Sequence, residues 1–163
     1  MCTYRYPFRF RRAHEGGWII SCRDLPEAIS QAEERAQALE HAAGCLQAAL
    51  EGRIRHGLPV PTPSGARAGE QLIDVPLETA AKAALHEAMR VGGMGRSELA
   101  RKLGLHEKEV RRMLDPGCAS KLPRLALAIQ ALGGRVALTI DPAPAEPSAP
   151  QPCTMRRASA TSD

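Results

Sequence analysis

The chain begins with a regular alternation of aromatic and polar positions. Tyr4, Tyr6, Phe8 and Phe10 are separated by single Arg or Pro residues. This period of two predicts a β-strand that buries one face. Because Pro7 has no amide hydrogen to donate to a sheet, we expect this strand to lie at an edge of its sheet near that residue.

Three further strands and one helix are predicted in the first half of the chain. A Gly-rich turn at residues 13–17 and an apolar run at residues 18–22 predict a hairpin, and short strands are expected around residues 28–31 and at residues 70–75. Across residues 33–55, apolar side chains recur at three-, four- and seven-residue steps, which predicts a helix packed on the sheet. The positions of this stripe are Ala36, Leu39, Ala43, Leu46, Leu50 and Ile54.

The second half is predicted to be helical. Pro76 opens an Ala-rich amphipathic helix that ends at a Gly-Gly pair. The sequence GRSELARKLGLHEKEVRRML at residues 95–114 then predicts two short helices joined by a tight turn at Gly104, which is the arrangement of a helix-turn-helix. The small Ala100 falls where these two helices cross. The apolar positions expected to face the core of the motif are Leu99, Leu103, Leu105, Val110 and Met113.

A closing helix at residues 121–132 and a terminal strand at residues 135–140 complete the predicted fold. An exposed strand needs a partner, and this one would pair either within the chain or with a second copy. The fold class is therefore predicted as α+β, with a small antiparallel sheet and one packed helix followed by an all-α helix-turn-helix unit.

Two segments rich in Pro, Gly or Ser divide the chain. The stretch HGLPVPTPSGARAGEQ cannot sustain a helix or a central strand, and the C-terminal tail has almost nothing to bury. We therefore predict a first domain at residues 1–56 that is completed by the strand at residues 70–75, a linker at residues 57–69, a helix-turn-helix domain at residues 76–140, and a disordered tail at residues 141–163.

The charge distribution points to an anionic partner for the second half. The net charge is +4, and the chain from Arg96 to Arg124 contains eight Lys or Arg against four Asp or Glu. This local excess indicates a partner such as DNA, although a solvated helix surface can have the same composition. Arg and Lys in a major groove can bond guanine O6 and N7, and amides at a helix start can hold a phosphate. The candidate DNA-binding residues are Arg96, Ser97, Arg101, His106, Glu107, Lys108, Arg111, Arg112 and Lys121.

The five cysteines form no CxxC motif, which predicts reduced thiols. No apolar run is long enough to span a bilayer, and no signal peptide is recognisable, so we expect a cytoplasmic protein that does not bind a membrane. Cys22 is expected beside Trp18 and Ile20 on a buried face, and His14 in an exposed turn. This placement favours a folding role over a catalytic Cys–His pair, whereas Cys153 in the tail should react quickly.

The turn after the second predicted strand is a candidate surface for a partner. Pro26 breaks the strand within the segment EGGWIISCRDLPEA, and we expect Asp24, Leu25 and Glu27 to be exposed at the rim of the sheet. A plain turn has the same pattern, so the spacing alone leaves both interpretations open.

The order of these features resembles that of a known family. An aromatic first strand, EGGWIISCRDLPEA, an amphipathic helix and GLPVPTPS follow one another at residues 4–64, which is similar to the HicB-type antitoxins of bacterial toxin–antitoxin pairs. The helix-turn-helix, up to Ile140, is similar to the DNA-binding half that one branch of that family carries.

The resemblance implies a reduced ribonuclease-H-like first domain without catalytic carboxylates. This domain would bind and block a HicA-type toxin ribonuclease, a small basic protein that cleaves mRNA, and the second domain would bind the operator DNA of its own operon. The first strand itself contains no Asp or Glu, although a two-metal nuclease needs clustered carboxylates. The expected toxin-binding residues are Trp18, Asp24, Leu25, Pro26 and Glu27.

We therefore predict a non-enzymatic antitoxin and autorepressor that forms a homodimer or homotetramer and needs no cofactor or metal. A stand-alone transcription regulator, whose first domain dimerises or senses a ligand, is an open alternative. An enzyme is the third possibility, and it would need an acidic metal-binding cluster that the sequence does not reveal.

Overall fold

The computed structural model describes residues 3–137. Within this range the chain forms a four-stranded sheet with one long helix, and shorter helices follow. The α+β class predicted from the sequence is therefore confirmed. In chain order the elements are β1 (Arg5–Arg12), β2 (Trp18–Cys22), β3 (Ile29–Ala32), α1 (Arg35–His56), β4 (Glu70–Asp74), α2 (Leu77–Val91), α3 (Arg96–Leu103), α4 (Glu107–Leu114) and α5 (Leu122–Ala131).

The first strand lies inside the sheet. The strands are antiparallel in the order β3-β2-β1-β4, so the predicted edge position of β1 is wrong. The carbonyl of Pro7 accepts a hydrogen bond from the amide of Arg23 at 3.3 Å, so the backbone polar groups of Pro7 point toward the β2 side. Paired residues on that side begin at Phe8 and Cys22. The missing amide hydrogen of Pro7 thus falls just beyond the ladder, where a proline is tolerated.

A first hydrophobic cluster fills the space between the sheet and α1. Its large side chains without exposed surface are Tyr6, Phe8, Ile20, Leu25, Leu46 and Leu50. The predicted stripe of α1 is buried at Leu46, Leu50 and Ile54. Ala36, however, is exposed. The helix turns a different face toward the sheet at its start, because Ala38 and Ala42 occupy the buried positions and their small side chains allow a close approach.

A second hydrophobic cluster forms among α2, α3, α4 and α5. Leu99, Val110 and Met113 are buried in this cluster, and Leu103 and Leu105 are partly buried against it. The predicted core positions of the helix-turn-helix are therefore confirmed. The cluster is separate from the first one, so each half of the described chain has its own apolar core.

The connector between α1 and β4 contains neither helix nor strand, as predicted, but it is fastened to the sheet. The hydroxyl of Tyr6 donates to the carbonyl of Pro61 at 2.8 Å. The carboxylate of Asp24 accepts hydrogen bonds from the amide and the hydroxyl of Ser64 at 2.8 Å and 2.7 Å. Val60 is 6% exposed and packs in the first cluster. The connector is thus a strap bound to one end of the sheet.

Part of the predicted C-terminal structure lies outside the described residues. Residues 135–137 form no strand. The rest of the predicted strand at residues 138–140, the tail at residues 141–163 and its Cys153 lie outside the described range.

A buried lysine that the sequence pattern did not reveal joins α2 to the loop after α4. Lys82 is 2% exposed, and its ammonium group donates to the carbonyls of Asp115 and Cys118 and forms an ion pair with Glu78 at 2.8 Å. Glu78 also accepts a hydrogen bond from the amide of Ser120 at 2.8 Å. The hydrogen bond from Lys82 holds the pKa of Glu78 below its usual value. This network fixes the loop that follows the second helix of the motif.

Replacement of Lys82 with Met should destabilise the protein. The methionine keeps an apolar stem of similar length but removes the ammonium donor from the carbonyls of Asp115 and Cys118 and the ion-pair partner from Glu78, which costs roughly 1–3 kcal/mol for each carbonyl that stays buried and finds no other donor. Urea unfolding of the full chain measures the loss. The matched variant Lys102→Met removes an exposed charge and should change stability by less than about 0.5 kcal/mol. Equal effects of the two substitutions would contradict a structural role for the Lys82 network.

Cys22 should react slowly with a thiol reagent in the native protein. Burial raises the pKa of its thiol to about 11, whereas a cysteine in an unfolded chain has a pKa of roughly 8.5. In a variant with Cys22 as its only cysteine, unfolding in urea should speed the reaction at pH 8 by roughly two-hundredfold, the ratio of the two thiolate fractions. A native rate equal to the unfolded rate would instead indicate an accessible, activated thiol.

Candidate nucleic-acid and protein interfaces

The α3–α4 unit has the local geometry of a helix-turn-helix. Gly104 ends α3 with a φ of 65°, a left-handed conformation that glycine adopts without strain. The amide of Leu105 then donates to the carbonyl of Ala100 at 2.9 Å and closes the turn. His106 precedes α4, and its amide donates to the carboxylate of Glu109 at 3.3 Å, so a side chain of the first turn satisfies a donor at the start of the second helix.

The outer surface of α4 is basic. Val110 and Met113 face the second cluster, so Lys108 and Arg112 lie on the opposite side of the helix. The sequence-predicted DNA-binding residues are all exposed. These residues are Arg96, Ser97, Arg101, His106, Glu107, Lys108, Arg111, Arg112 and Lys121.

Acidic groups of this unit are largely occupied by internal partners. Glu107 accepts a hydrogen bond from the hydroxyl of Ser97 at 2.6 Å, which joins the starts of the two helices. Glu109 pairs with Arg124 at 3.0 Å, and the amide of His106 is the main cause of the lowered pKa of Glu109. Asp115 accepts from the amide of Gly117 at 2.9 Å, and this bond is the main cause of its lowered pKa.

Basic groups on the same surface have no such partners. Within the described part of the chain, no carboxylate lies within 4.0 Å of the charged nitrogens of Arg96, Arg101, Lys102, Lys108, Arg111, Arg112 or Lys121. Of the four acids between Arg96 and Arg124, only Glu109 is paired with a cation of the described chain, and the seven unpaired cations outnumber the other three acids, so the surface can attract an anion. Such a pattern suits the phosphate backbone of a nucleic acid.

The sequence-predicted toxin-binding residues do not form one cluster. Trp18 begins β2 at the hairpin with β1, whereas Asp24, Pro26 and Glu27 follow the other end of the same strand. Leu25 has no exposed surface, so its expected exposure at the rim is wrong. The turn closes with a hydrogen bond from the amide of Ala28 to the carbonyl of Leu25 at 2.8 Å, and the leucine side chain packs in the first cluster.

The two carboxylates of this turn have structural partners. Asp24 binds Ser64 of the strap, as described above, and Glu27 forms an ion pair with Arg53 at the end of α1. The hydrogen bond from Arg53 is the main cause of the lowered pKa of Glu27. These partners are distant in sequence, so no local pattern could have revealed them. The turn fastens the sheet to α1 and to the connector.

The hairpin end of the sheet carries a stack of arginines and aromatic rings that the sequence analysis missed. The guanidinium of Arg35 lies 4.1 Å from the ring centre of Phe10 and 5.2 Å from that of Trp18, and Arg12 lies 5.1 Å from Trp18. These are cation–π distances. Arg12 is the hairpin partner of Trp18, so this contact could have been inferred from the register.

A wide, open cavity of about 1110 Å³ adjoins Trp18 at this end. Its lining includes Glu15, Glu33 and Glu40 but no Lys or Arg. Among the described residues, no Lys or Arg lies within 4.0 Å of these three carboxylates. Unlike Asp24 and Glu27, they are available to a basic partner.

Cys22 and His14 are not arranged as a catalytic pair. Cys22 is buried at the end of β2 near the turn, and His14 is exposed in the hairpin loop at the other end of that strand. Between residues 3 and 137, no group of three His, Cys, Asp or Glu side chains could share a metal ion. None of the helices in this range is both long and apolar enough to cross a bilayer.

Comparison with known proteins identifies relatives along most of the chain. Residues 5–84 match a family model described as the HicB_like antitoxin of bacterial toxin-antitoxin system. Antitoxin HicB of Escherichia coli strain K12 is 34% identical over 136 residues, which cover 83% of this chain and 99% of that protein. Antitoxin HicB 1 of Photorhabdus laumondii is 31% identical over 137 residues, which cover 84% and 87%.

A third relative, Antitoxin HicB of Pseudomonas fluorescens, is 30% identical over 129 residues, which cover 78% of this chain and 88% of that protein. The shared region reaches well beyond the sheet into the helical half. The resemblance inferred from the sequence motifs is confirmed, and this protein belongs to the HicB family of antitoxins of bacterial toxin–antitoxin systems.

Proposed function

We propose that this protein binds and neutralises a HicA-type toxin ribonuclease and represses its own operon by binding operator DNA. The proposed operator binding is supported by one observation, the charge pattern of the α3–α4 unit. Its basic side chains are exposed without carboxylate partners, while three of its acids are bonded internally. The proposed neutralisation of a toxin is supported by membership of the HicB family.

The DNA-binding surface is proposed to centre on α4. Lys108 and Arg112 lie opposite the buried face of that helix, so they are best placed to reach base edges in a major groove. Arg96, Arg101 and Lys121 flank the helix and would contact phosphates, which position the protein without reading sequence. We propose that two or four copies associate, and that a two-fold symmetric operator presents half-sites about one helical turn, or a multiple of one, apart.

The toxin-binding surface is proposed to lie on the sheet domain at residues 1–75, with Trp18 as its aromatic anchor. The cavity beside Trp18 contains unpaired carboxylates, which would attract a basic protein. Asp24, Pro26 and Glu27 remain candidates at the other end of β2, but the two acids would have to exchange internal partners for the toxin. No catalytic step is part of this proposal, since an antitoxin acts by covering the toxin.

Replacement of Arg112 with Ala should weaken operator binding. If the guanidinium reads a base, the loss is roughly 1–3 kcal/mol and the sequence preference relaxes at one position of each half-site. Affinity is measured by fluorescence anisotropy with duplexes from the region upstream of the gene, including single-base variants. Arg124→Ala is the matched control, because Arg124 is already paired with Glu109.

A double variant, Arg111→Ala with Arg112→Ala, makes this test decisive. If it keeps the circular dichroism spectrum of the wild type and its full operator affinity, α4 is not the recognition helix. Loss of affinity that is equal for the operator and for unrelated DNA would assign these arginines to phosphates alone.

Toxin binding and operator binding should be separable by truncation between the two halves of the chain. A fragment of residues 1–75 retains the sheet, α1 and the whole strap, so it should bind the toxin but not the operator. A fragment of residues 1–91 also keeps α2, whose Ala83 packs in the first cluster, and serves if the shorter one is unstable. Coexpression with the toxin measures growth rescue, and copurification measures binding.

The complementary fragment of residues 72–163 is the control for this division. If only that fragment rescues growth, toxin binding does not lie in the sheet domain. The same conclusion follows if the first fragment is folded but does not copurify with the toxin. Within the longer first fragment, Trp18→Ala should lower toxin affinity by roughly 2 kcal/mol or more if Trp18 is an interface anchor.

A further inference from the structure

A cavity of about 690 Å³ lies where the end of α1 meets the helix-turn-helix unit. Cationic side chains from both halves of the chain line it: Arg55 from α1, Arg96 from the start of α3, and Arg111 from α4. Apolar side chains such as Ile54 and Met89 complete its walls. The sheet domain thereby places a positive charge beside the proposed DNA-binding motif.

Arg55 is available to a ligand, although a neighbouring arginine is not. Arg53 is held by Glu27 and by the carbonyl of Pro59. Arg55 is exposed, and none of the described carboxylates comes within 4.0 Å of its guanidinium. The cavity lining contains one carboxylate, that of Asp115. Its pKa is lowered mainly by the amide of Gly117, with a smaller contribution from the charge of Arg55.

Contacts between the strap and α2 hold the end of α1, which carries Arg55, beside the helical half. The imidazole of His86 donates to the carbonyl of Leu58 at 2.9 Å, and the amide of Val60 donates to Glu87 at 3.1 Å. Ile54 is 7% exposed next to Arg55. The end of α1 is therefore held against the first helix of the DNA-binding half.

We propose that Arg55 binds a phosphate of the DNA backbone when the helix-turn-helix unit occupies its site. The end of α1 then extends the DNA-binding surface beyond the motif itself. A guanidinium can donate two parallel hydrogen bonds to a phosphate, and such a contact adds affinity without reading sequence. This inference rests on the proposed DNA binding, and it adds to the DNA-binding surface a residue from the first half of the chain.

The test compares Arg55→Gln with the wild type in the full chain. Affinity for a short duplex of arbitrary sequence is measured by fluorescence anisotropy over a series of salt concentrations. Loss of one phosphate contact should lower affinity roughly three- to tenfold at moderate salt and reduce the slope of log affinity against log salt by about 0.9. Asp115→Asn, which removes a negative charge from the cavity, should raise affinity.

Arg11→Gln is the matched control, because it removes the same charge from the exposed hairpin end of the sheet. It should leave both the affinity and the salt slope unchanged. An equal loss in Arg11→Gln and Arg55→Gln would mean that net charge alone matters, and would overturn the inference.

Two further outcomes separate this inference from the function on which it rests. If Arg112→Ala weakens binding and Arg55→Gln does not, DNA binding stands and the Arg55 contact is refuted. If the wild type binds neither the arbitrary duplex nor duplexes from upstream of the gene, the proposed DNA binding itself fails. Inorganic phosphate is also titrated into the protein, and its binding is followed through the NMR signal of the Arg55 side chain. If phosphate binds at Arg55 but Arg55→Gln does not change duplex affinity, the cavity binds a small anion and not DNA, and the inference is refuted.

Discussion

The guanidinium of Arg53 joins three segments on which the rest of the structure depends. It pairs with Glu27 in the turn after β2, donates to the carbonyl of Pro59 in the connector, and belongs to the last turn of α1. Its side chain is 20% exposed, so these charge-assisted hydrogen bonds are partly shielded from water. The sheet, its helix and the segment that leaves them are thereby held together at one end of the domain.

The position of the helical half follows from this junction. Beyond Pro59 the connector bonds to α2 through His86 and Glu87, and α2 in turn holds the loop after α4 through Lys82. A series of short contacts therefore runs from the sheet turn to the end of the second helix of the motif. A connector rich in Pro and Gly is flexible when it stands alone, but here its carbonyls and amides are bonded on both sides.

Local signals were sufficient to predict the described helices and strands of this fold, although they also predicted a strand at residues 135–140 whose first three residues form none. The aromatic alternation of β1, the Gly-rich hairpin and the turn at Gly104 each specify a conformation through residues close in sequence. Family motifs then supplied a function that no spacing could supply. The predicted cores of both halves follow from the same local periodicities, and the error at the start of α1 concerns which of its alanines face the sheet: Ala38 and Ala42 are buried, and Ala36 is not.

Contacts between distant residues were the part that sequence reasoning could not supply. The edge position of β1 was wrong because β4, more than fifty residues later in the chain, pairs with it. Leu25 was expected at the surface because nothing near it in sequence indicates that the turn folds over the core. Asp24 and Glu27 were predicted to bind a partner protein because their internal partners, Ser64 and Arg53, are distant in sequence and become neighbours only in the folded chain. The burial of Lys82 could not be predicted for the same reason, since the two carbonyls that accept its hydrogen bonds lie thirty-three and thirty-six residues away in the sequence.

Helix α1 separates the two proposed interfaces. Trp18 lies beside Arg35 at its start, and Arg55 lies at its end, about 30 Å away at 1.5 Å per residue. A toxin bound at the hairpin end would leave the α3–α4 surface uncovered, and the protein could hold both partners together. Screening by physiological salt acts over roughly 8–10 Å, so a basic toxin and a DNA duplex would not attract or repel each other directly through this distance. Within this chain, an effect of toxin binding on DNA binding would then pass through packed contacts such as the Arg53 junction, or through the association of several copies.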